Sequence, residues 1–367
     1  MILMAIDHAS HFVARVHSVE FWGSPLPVYP DASWFWTRWV THLCAPGFFF
    51  LMGTGMAFLA DARRRAGWQE HQITRFFVIR GLLLILFQLV IENPAWMMGD
   101  FSGYAGASTV RGGPLPGGGT KGFIYLGVLY SLGGSMLFWA FLRRVSPWLV
   151  ALVSTAAIVS TEFIIPGSEG TRTVFSPFIA AMFIPGHSNM LVVFYPVVPW
   201  LGVAGLGLFY GRLIQRFAGR AQRMTFAAGI GLLVLFVVLR VMGGFGNLNL
   251  VPAGWMGFLN VVKYPPSLAF LTVTLGINLI LIAFFAPAER YLRSPGHPLN
   301  IFGRTALFFY LLHLWVYGLL GFFFRGGCGL AALYAVWLVG LGILSWPCYR
   351  YDRFKHGKPG GSLWRFL

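Results

Sequence analysis

The stretch Phe48-Phe49-Phe50-Leu51-Met52-Gly53-Thr54-Gly55-Met56-Ala57-Phe58-Leu59-Ala60, closed by Arg63-Arg64-Arg65, decides the fold. It is the centre of an apolar run over about 36–60, long enough at ~1.5 Å per residue to cross a bilayer core of ~30 Å. Further apolar runs lie at 1–17, 75–93, 122–142, 147–165, 192–214, 225–243, 267–286, 299–324 and 329–349. About ten spans, with no alternation long enough for a barrel, predict an all-α fold, a polytopic transmembrane helix bundle. A single domain over 1–350 is expected, followed by a basic cytoplasmic tail over 351–367. Met1–Ile6 is too short to cross half a bilayer before Asp7, so the first helix is expected to be truncated at its start.

Composition supports this reading. The chain is 57% apolar and only 10% charged, against about 25% charged in soluble domains. So few charges cannot cover a water-facing surface, whereas a lipid-facing one excludes charge. A formal charge of +16 would suggest nucleic acid in a soluble protein. Here the cations stand in short clusters between apolar runs, and no nucleic-acid-binding motif accompanies them, so no nucleic-acid partner is expected. Cys44, Cys328 and Cys348 form no C-x-x-C, and neither a metal site nor a disulfide framework is expected.

Most of the 27 Lys and Arg follow even-numbered spans. They are Arg63, Arg64, Arg65 and Arg75; Arg143 and Arg144; Arg212, Arg216, Arg220 and Arg223; Arg290 and Arg293; and Arg350, Arg353, Lys355, Lys358 and Arg365 in the tail. The positive-inside rule places these connections and the C-terminus in the cytoplasm. The long connections 18–35, 94–121, 166–191 and 244–266 are then external. Their aromatic residues either line a sugar site or form the interfacial belt. The expected location is the inner (cytoplasmic) membrane, with the lipid bilayer as partner.

Ionisable residues inside spans are costly and mark candidate sites. Asp7, His8 and His11 fall in the first span; Asp7 and His11, four apart, share a helix face. A carboxylate beside an imidazole can fix its tautomer for general-base work, the alternative being hydrogen bonds that only pack helices. Arg38 and His42, also four apart, open the second span; Arg38 either grips an anion or anchors at the interface. Glu92 closes the third span, where it either orients another polar group or is a solvated helix end. His313 lies in mid-span nine, as a candidate ligand-binding group or as a packed histidine. Arg80 and Arg304 sit just inside the cytoplasmic ends of spans three and nine. They either receive an anionic group from the cytosol or snorkel, and Gly303-Arg304-Thr305 at a helix start favours anion binding.

Met4-Ala5-Ile6-Asp7-His8 and the string Thr37-Arg38-Trp39-Val40-Thr41-His42-Leu43-Cys44-Ala45-Pro46 resemble the bacterial members of the heparan-α-glucosaminide N-acetyltransferase catalytic family. Tyr195-Pro196 with Pro199-Trp200-Leu201-Gly202, Lys263-Tyr264-Pro265-Pro266-Ser267, and Gly303-Arg304-Thr305 through His313 continue the likeness in order. The family is related to the wider integral-membrane acyltransferases, which carry an arginine ahead of the first-helix histidine, a position that falls upstream of Met1 here. The resemblance implies transfer of an acyl group from cytosolic acetyl-coenzyme A to a sugar or glycan acceptor on the external side, with no metal.

On that basis Asp7, His8, His11 and His42 are the expected catalytic residues. Arg38, Glu92, Lys263, Tyr264 and His313 are expected to bind substrate, and Arg304 and Arg80 the coenzyme. His42 or Arg38 is expected to stabilise the oxyanion. Two rival readings stand beside this one: a secondary transporter with an intramembrane Asp/His proton relay, and a non-catalytic membrane partner. A homodimer is compatible with either an enzyme or a transporter.

Overall fold

A computed structural model describes residues 1–99, 115–117, 124–288, 297–359, 362 and 364. Arg111, Arg290, Arg293 and Arg365 lie outside the described residues.

Helix α1, Ile2–Ala9, widens into a π-helical turn at Ser10–Ala14 and stops where Arg15 takes a left-handed backbone, φ 61°. The buried Arg15 guanidinium donates to the carbonyls of Gly321 (3.1 Å) and Phe324 (3.4 Å), satisfying a helix end that lipid cannot. Helix α2, Ala32–Trp39, is capped by Asp31, which accepts from the N–H groups of Ser33 and Trp34. A tight turn at Val40–Leu43 joins it to α3, Cys44–Arg65. The tightening falls where Pro46 has no N–H to offer the carbonyl of His42. Helix α4, Glu70–Phe87, opens into a second π-helical turn at Gln88–Glu92, just before Pro94, and continues as α5, Asn93–Gly99.

The remaining helices are α6 (Val128–Leu142), α7 (Pro147–Ile164), α8 (Pro177–Met182), α9 (Val197–Arg216), α10 (Ala221–Met242), α11 (Gly254–Leu259) and α12 (Leu268–Phe285). They are followed by α13 (Pro298–Arg304), α14 (Ala306–Gly321) and α15 (Leu330–His356). Three short strands accompany them: β1 (Ile124–Leu126), β2 (Gly186–Ser188) and β3 (Leu191–Val193). They form one sheet with β3 in the middle, parallel to β1 and antiparallel to β2.

The fold is thus all-helical and polytopic, and the count of long spans differs from the expected ten. Among the described residues, 7 helices are long and apolar enough to cross a membrane, or 8 with α13 and α14, bent by 99°, taken as one span. Two shorter apolar helices, Ile2–Ala14 and Val128–Leu142, stand where the first and fourth spans were expected. The fourth is short because residues 124–126 of that run pair with β3 as strand β1 rather than joining the helix.

Side chains on the outside of the helices are apolar, as at Leu152, Val241 and Trp346, which suits contact with lipid. Inside, backbones approach closely at glycines. A Cβ at Gly53 of α3 would lie 1.8 Å from the carbonyl oxygen of Ala204 in α9, and one at Gly207 would lie 1.9 Å from that of Phe50. Only hydrogen fits at either position, and the pair of helices is locked by that contact. Glu162 stands in the last turn of α7. It accepts from the backbone N–H groups of Gly246 (3.0 Å) and Leu268 (3.2 Å), tying the 244–266 connection to the bundle. On the arginine-rich side, Glu70 accepts from Arg64 and Arg143, both at 2.5 Å. The hydrogen bond from Arg64 is the largest influence holding the Glu70 carboxyl below its ordinary value.

Candidate active site

Three groups of side chains lie in sequence through the bundle. The first sits beside the 18–35 connection. Arg38 donates through Nε and one terminal nitrogen to both carboxylate oxygens of Glu20, at 2.9 and 2.7 Å. Its other terminal nitrogen donates to Asp7 at 2.5 Å. Asp7 also accepts from the Thr41 hydroxyl at 3.2 Å. One guanidinium therefore neutralises two carboxylates in the planar fork geometry that only arginine provides. Burial pushes the Glu20 carboxyl up, but the charge of Arg38 outweighs it, and Glu20 stays below its ordinary value as a carboxylate. His42 Nε2 stands 3.8 Å from Glu20. Lys263 is buried, with its ammonium over the Tyr264 ring at 5.1 Å, and its backbone N–H donates to the Glu20 carbonyl. A recess of about 10 Å³ lies between Asp7, Tyr29, Trp34 and Arg38, room for about one water.

The second group is a closed ring of buried side chains from α1, α5, α14 and the π-helical turn before α5. His8 Nδ1 meets His313 Nε2 at 2.6 Å. His313 Nδ1 faces the carbonyls of Phe309 (3.2 Å) and Tyr310. The Tyr310 hydroxyl donates to Glu92 at 2.9 Å, and the indole N–H of Trp96 donates to the same oxygen at 3.2 Å. Trp96 closes the ring by standing edge-on to His8, at 5.1 Å between centroids. His11 also contacts Trp96, and His17, edge-on. The π-helical turn at Gln88–Glu92 supplies Glu92 to this ring and the one at Ser10–Ala14 places His11 against it, and such turns re-aim side chains at functional sites.

The third group is a cavity of about 520 Å³, within the size range of small-molecule sites. Its walls are apolar side chains of α3, α4 and α6. Arg80, one turn inward of Phe77 on α4, and Gly303 and Tyr310 complete the lining. Along α3 it extends from Phe48 to Leu59, ~16 Å at 1.5 Å per residue. Arg80 makes no hydrogen bond or ion pair with the described residues. The first turn of α14 opens on the same space through Ala306 and Leu307, and its unpaired N–H groups attract anions.

Several expectations need correcting against this geometry. The Asp7 carboxylate does not orient His8 or His11, because Arg38 and Thr41 hold it, and the partner of His8 is His313. Arg38 is no free oxyanion donor, since all three of its nitrogens serve Glu20 and Asp7. Glu92 is no solvated helix end but a buried acceptor for Tyr310 and Trp96. The fork of Arg304 is bound to Asp352 at 3.0 and 2.8 Å, and Lys355 donates to the Arg304 carbonyl. That leaves Arg80 rather than Arg304 facing the cavity. Glu20, Tyr310, Trp96 and Asp352 were not singled out from the sequence. Tyr310 had a signal: it precedes His313 by three residues, one helical turn on the same face. Glu20 had only its rarity as an acid in a strongly basic chain.

The model of the family described as heparan-alpha-glucosaminide N-acetyltransferase, catalytic, matches residues 1–244. The match contains Asp7, His8, Arg38, Arg80 and Glu92, while Lys263, Tyr310 and His313 lie beyond it. No curated protein matches the chain. With two thirds of its length matched and a bundle of apolar helices around the ring and the cavity, the chain belongs to the heparan-alpha-glucosaminide N-acetyltransferase catalytic family and is a multi-pass membrane acetyltransferase.

Proposed function

We propose that this enzyme takes an acetyl group from cytosolic acetyl-coenzyme A and delivers it to an amino sugar or glycan hydroxyl on the external side of the inner membrane. The observation that carries this reading is the cavity linking Arg80 to Tyr310 and, through Tyr310, to the His313–His8 pair. A long, slender thioester with an anionic end suits an elongated space with apolar walls and one arginine among them. Arg80 and the first turn of α14 hold the phosphates. Asp352 fixes Arg304, and with it the elbow between α13 and α14 that borders the cavity.

His8 is the general base. Its Nε2 removes a proton as the acceptor nitrogen or oxygen attacks the thioester carbon. The tetrahedral intermediate then collapses, the carbon–sulfur bond breaks with its electron pair on sulfur, and the imidazolium returns the proton to give the free thiol. Glu92 holds Tyr310 in the cavity wall. His11, like His8, stands against Trp96 and helps to fix it. On the acceptor side, Arg38 keeps Asp7 and Glu20 in place, while His42, Lys263 and Tyr264 line the approach, with Lys263 supplying positive charge.

The test is donor kinetics in proteoliposomes with labelled acetyl-coenzyme A and glucosamine. Arg80→Gln removes a charge-assisted contact of about 1.5–3 kcal/mol. The donor KM is expected to rise about 10- to 100-fold with kcat little changed. A parent enzyme that transfers no acetyl group, or an Arg80→Gln enzyme with the parent's donor KM, would overturn the assignment.

A further inference from the structure

The hydrogen bonds around His313 determine which nitrogen of each ring carries a proton. Nδ1 of His313 faces two carbonyl oxygens, Phe309 at 3.2 Å and Tyr310, both of which only accept. That nitrogen must therefore carry hydrogen. In the neutral ring Nε2 is then a bare acceptor. It lies 2.6 Å from His8 Nδ1, so the His8 nitrogen must be the donor, since two lone pairs at that distance would repel. The second nitrogen of His8, Nε2, is left unprotonated and makes no hydrogen bond with the described residues. Both rings are nearly or fully buried, at 9% and 0% exposure, and they lie side by side and nearly coplanar, with planes 18° apart and centroids 4.8 Å apart, so neither turns freely.

We propose that His313 is a positioning residue that holds His8 in the tautomer with a bare Nε2, and that it takes part of the positive charge when His8 is protonated. This rests on the reading of His8 as the base. Proton balance is simple. When the acceptor's proton arrives at His8 Nε2, the Nδ1 proton can pass along the 2.6 Å contact to His313 Nε2. The charge then resides on the His313 ring, whose other N–H stays bonded to the helix carbonyls. Return of the Nδ1 proton to His8 restores the imidazolium that protonates the thiolate. The role falls to a second histidine because the acid beside His8 in sequence, Asp7, is bound to Arg38.

Substitutions at His313 separate this role from packing. The amide of His313→Gln can accept from His8 Nδ1–H through oxygen and donate to the Tyr310 carbonyl through nitrogen. His313→Leu fills space but does neither. In proteoliposomes with acetyl-coenzyme A and glucosamine, the Gln enzyme is expected to keep kcat within about tenfold of the parent and the Leu enzyme to lose about 100-fold or more, with donor KM unchanged in both. Solid-state ¹⁵N spectra of histidine-labelled protein, with His8 assigned by its loss in His8→Asn, should show the Nδ1–H form in the parent and the Gln enzyme and a mixture in the Leu enzyme. Equal activity of the Gln and Leu enzymes, or an Nε2–H form of His8 in the parent, overturns the proposal. Failure of the parent to acetylate glucosamine strikes instead at the function on which it rests.

Discussion

Replacing Arg38 by alanine is expected to prevent stable assembly of the protein. The substitution leaves two buried carboxylates, Asp7 and Glu20, without the cation that neutralises both. Breaking a buried ion pair by removing one partner costs about 3–5 kcal/mol, and here one deletion orphans two partners. That approaches the whole stability of a typical fold, about 5–15 kcal/mol. Arg38→Lys is expected to fail as well, because an ammonium cannot present three fixed N–H directions to two carboxylates. Combining Arg38→Met with Asp7→Asn and Glu20→Gln removes charge from all three groups together and should recover assembly. The measurement is the fraction of detergent-solubilised protein that stays monodisperse on heating. A single Arg38→Ala variant as heat-resistant as the parent would show that the three groups are not coupled as described.

The His8→Ala enzyme is expected to assemble and bind acetyl-coenzyme A like the parent while losing about 10²- to 10⁴-fold in kcat, the usual contribution of a positioned base. Its side chain meets His313 and Trp96 but carries no ion pair, so its removal vacates a small polar space without orphaning a charge. Rate and binding are read separately, by acetyl transfer to glucosamine and by equilibrium dialysis of labelled donor. Unchanged turnover would remove His8 from the chemistry.

The helical bundle was legible because lipid imposes one rule at every depth: apolar side chains outside and backbone groups satisfied within the segment. The rule identifies the long runs and fails where the chain satisfies its backbone otherwise. Residues 124–126 read as the start of a span, yet they pair with 191–193 as strand. Nothing local distinguishes three apolar residues that start a helix from three that end in a sheet. The polar residues of the site were legible one by one, since each is expensive in a span. Their partners were not, because pairing is set by contacts between residues distant in the chain. His8 and His313 are separated by 305 positions, and helical spacing relates only near neighbours. That is also why the sequence suggests Asp7, adjacent to His8, as its orienting acid. A helix sends adjacent side chains about 100° apart, and Asp7 points to α2 while His8 points to α14. Arg304 misled for a similar reason, its acid lying 48 positions later on α15.

In the proposed reaction donor and acceptor meet at the His8–His313 pair from opposite sides of one membrane. The most direct test uses proteoliposomes of defined orientation, with labelled acetyl-coenzyme A supplied only at the face bearing Arg63, Arg64 and Arg65 and glucosamine only at the other. Labelled N-acetylglucosamine is expected on the glucosamine side, dependent on His8. Product formed only when both substrates share one face would contradict it.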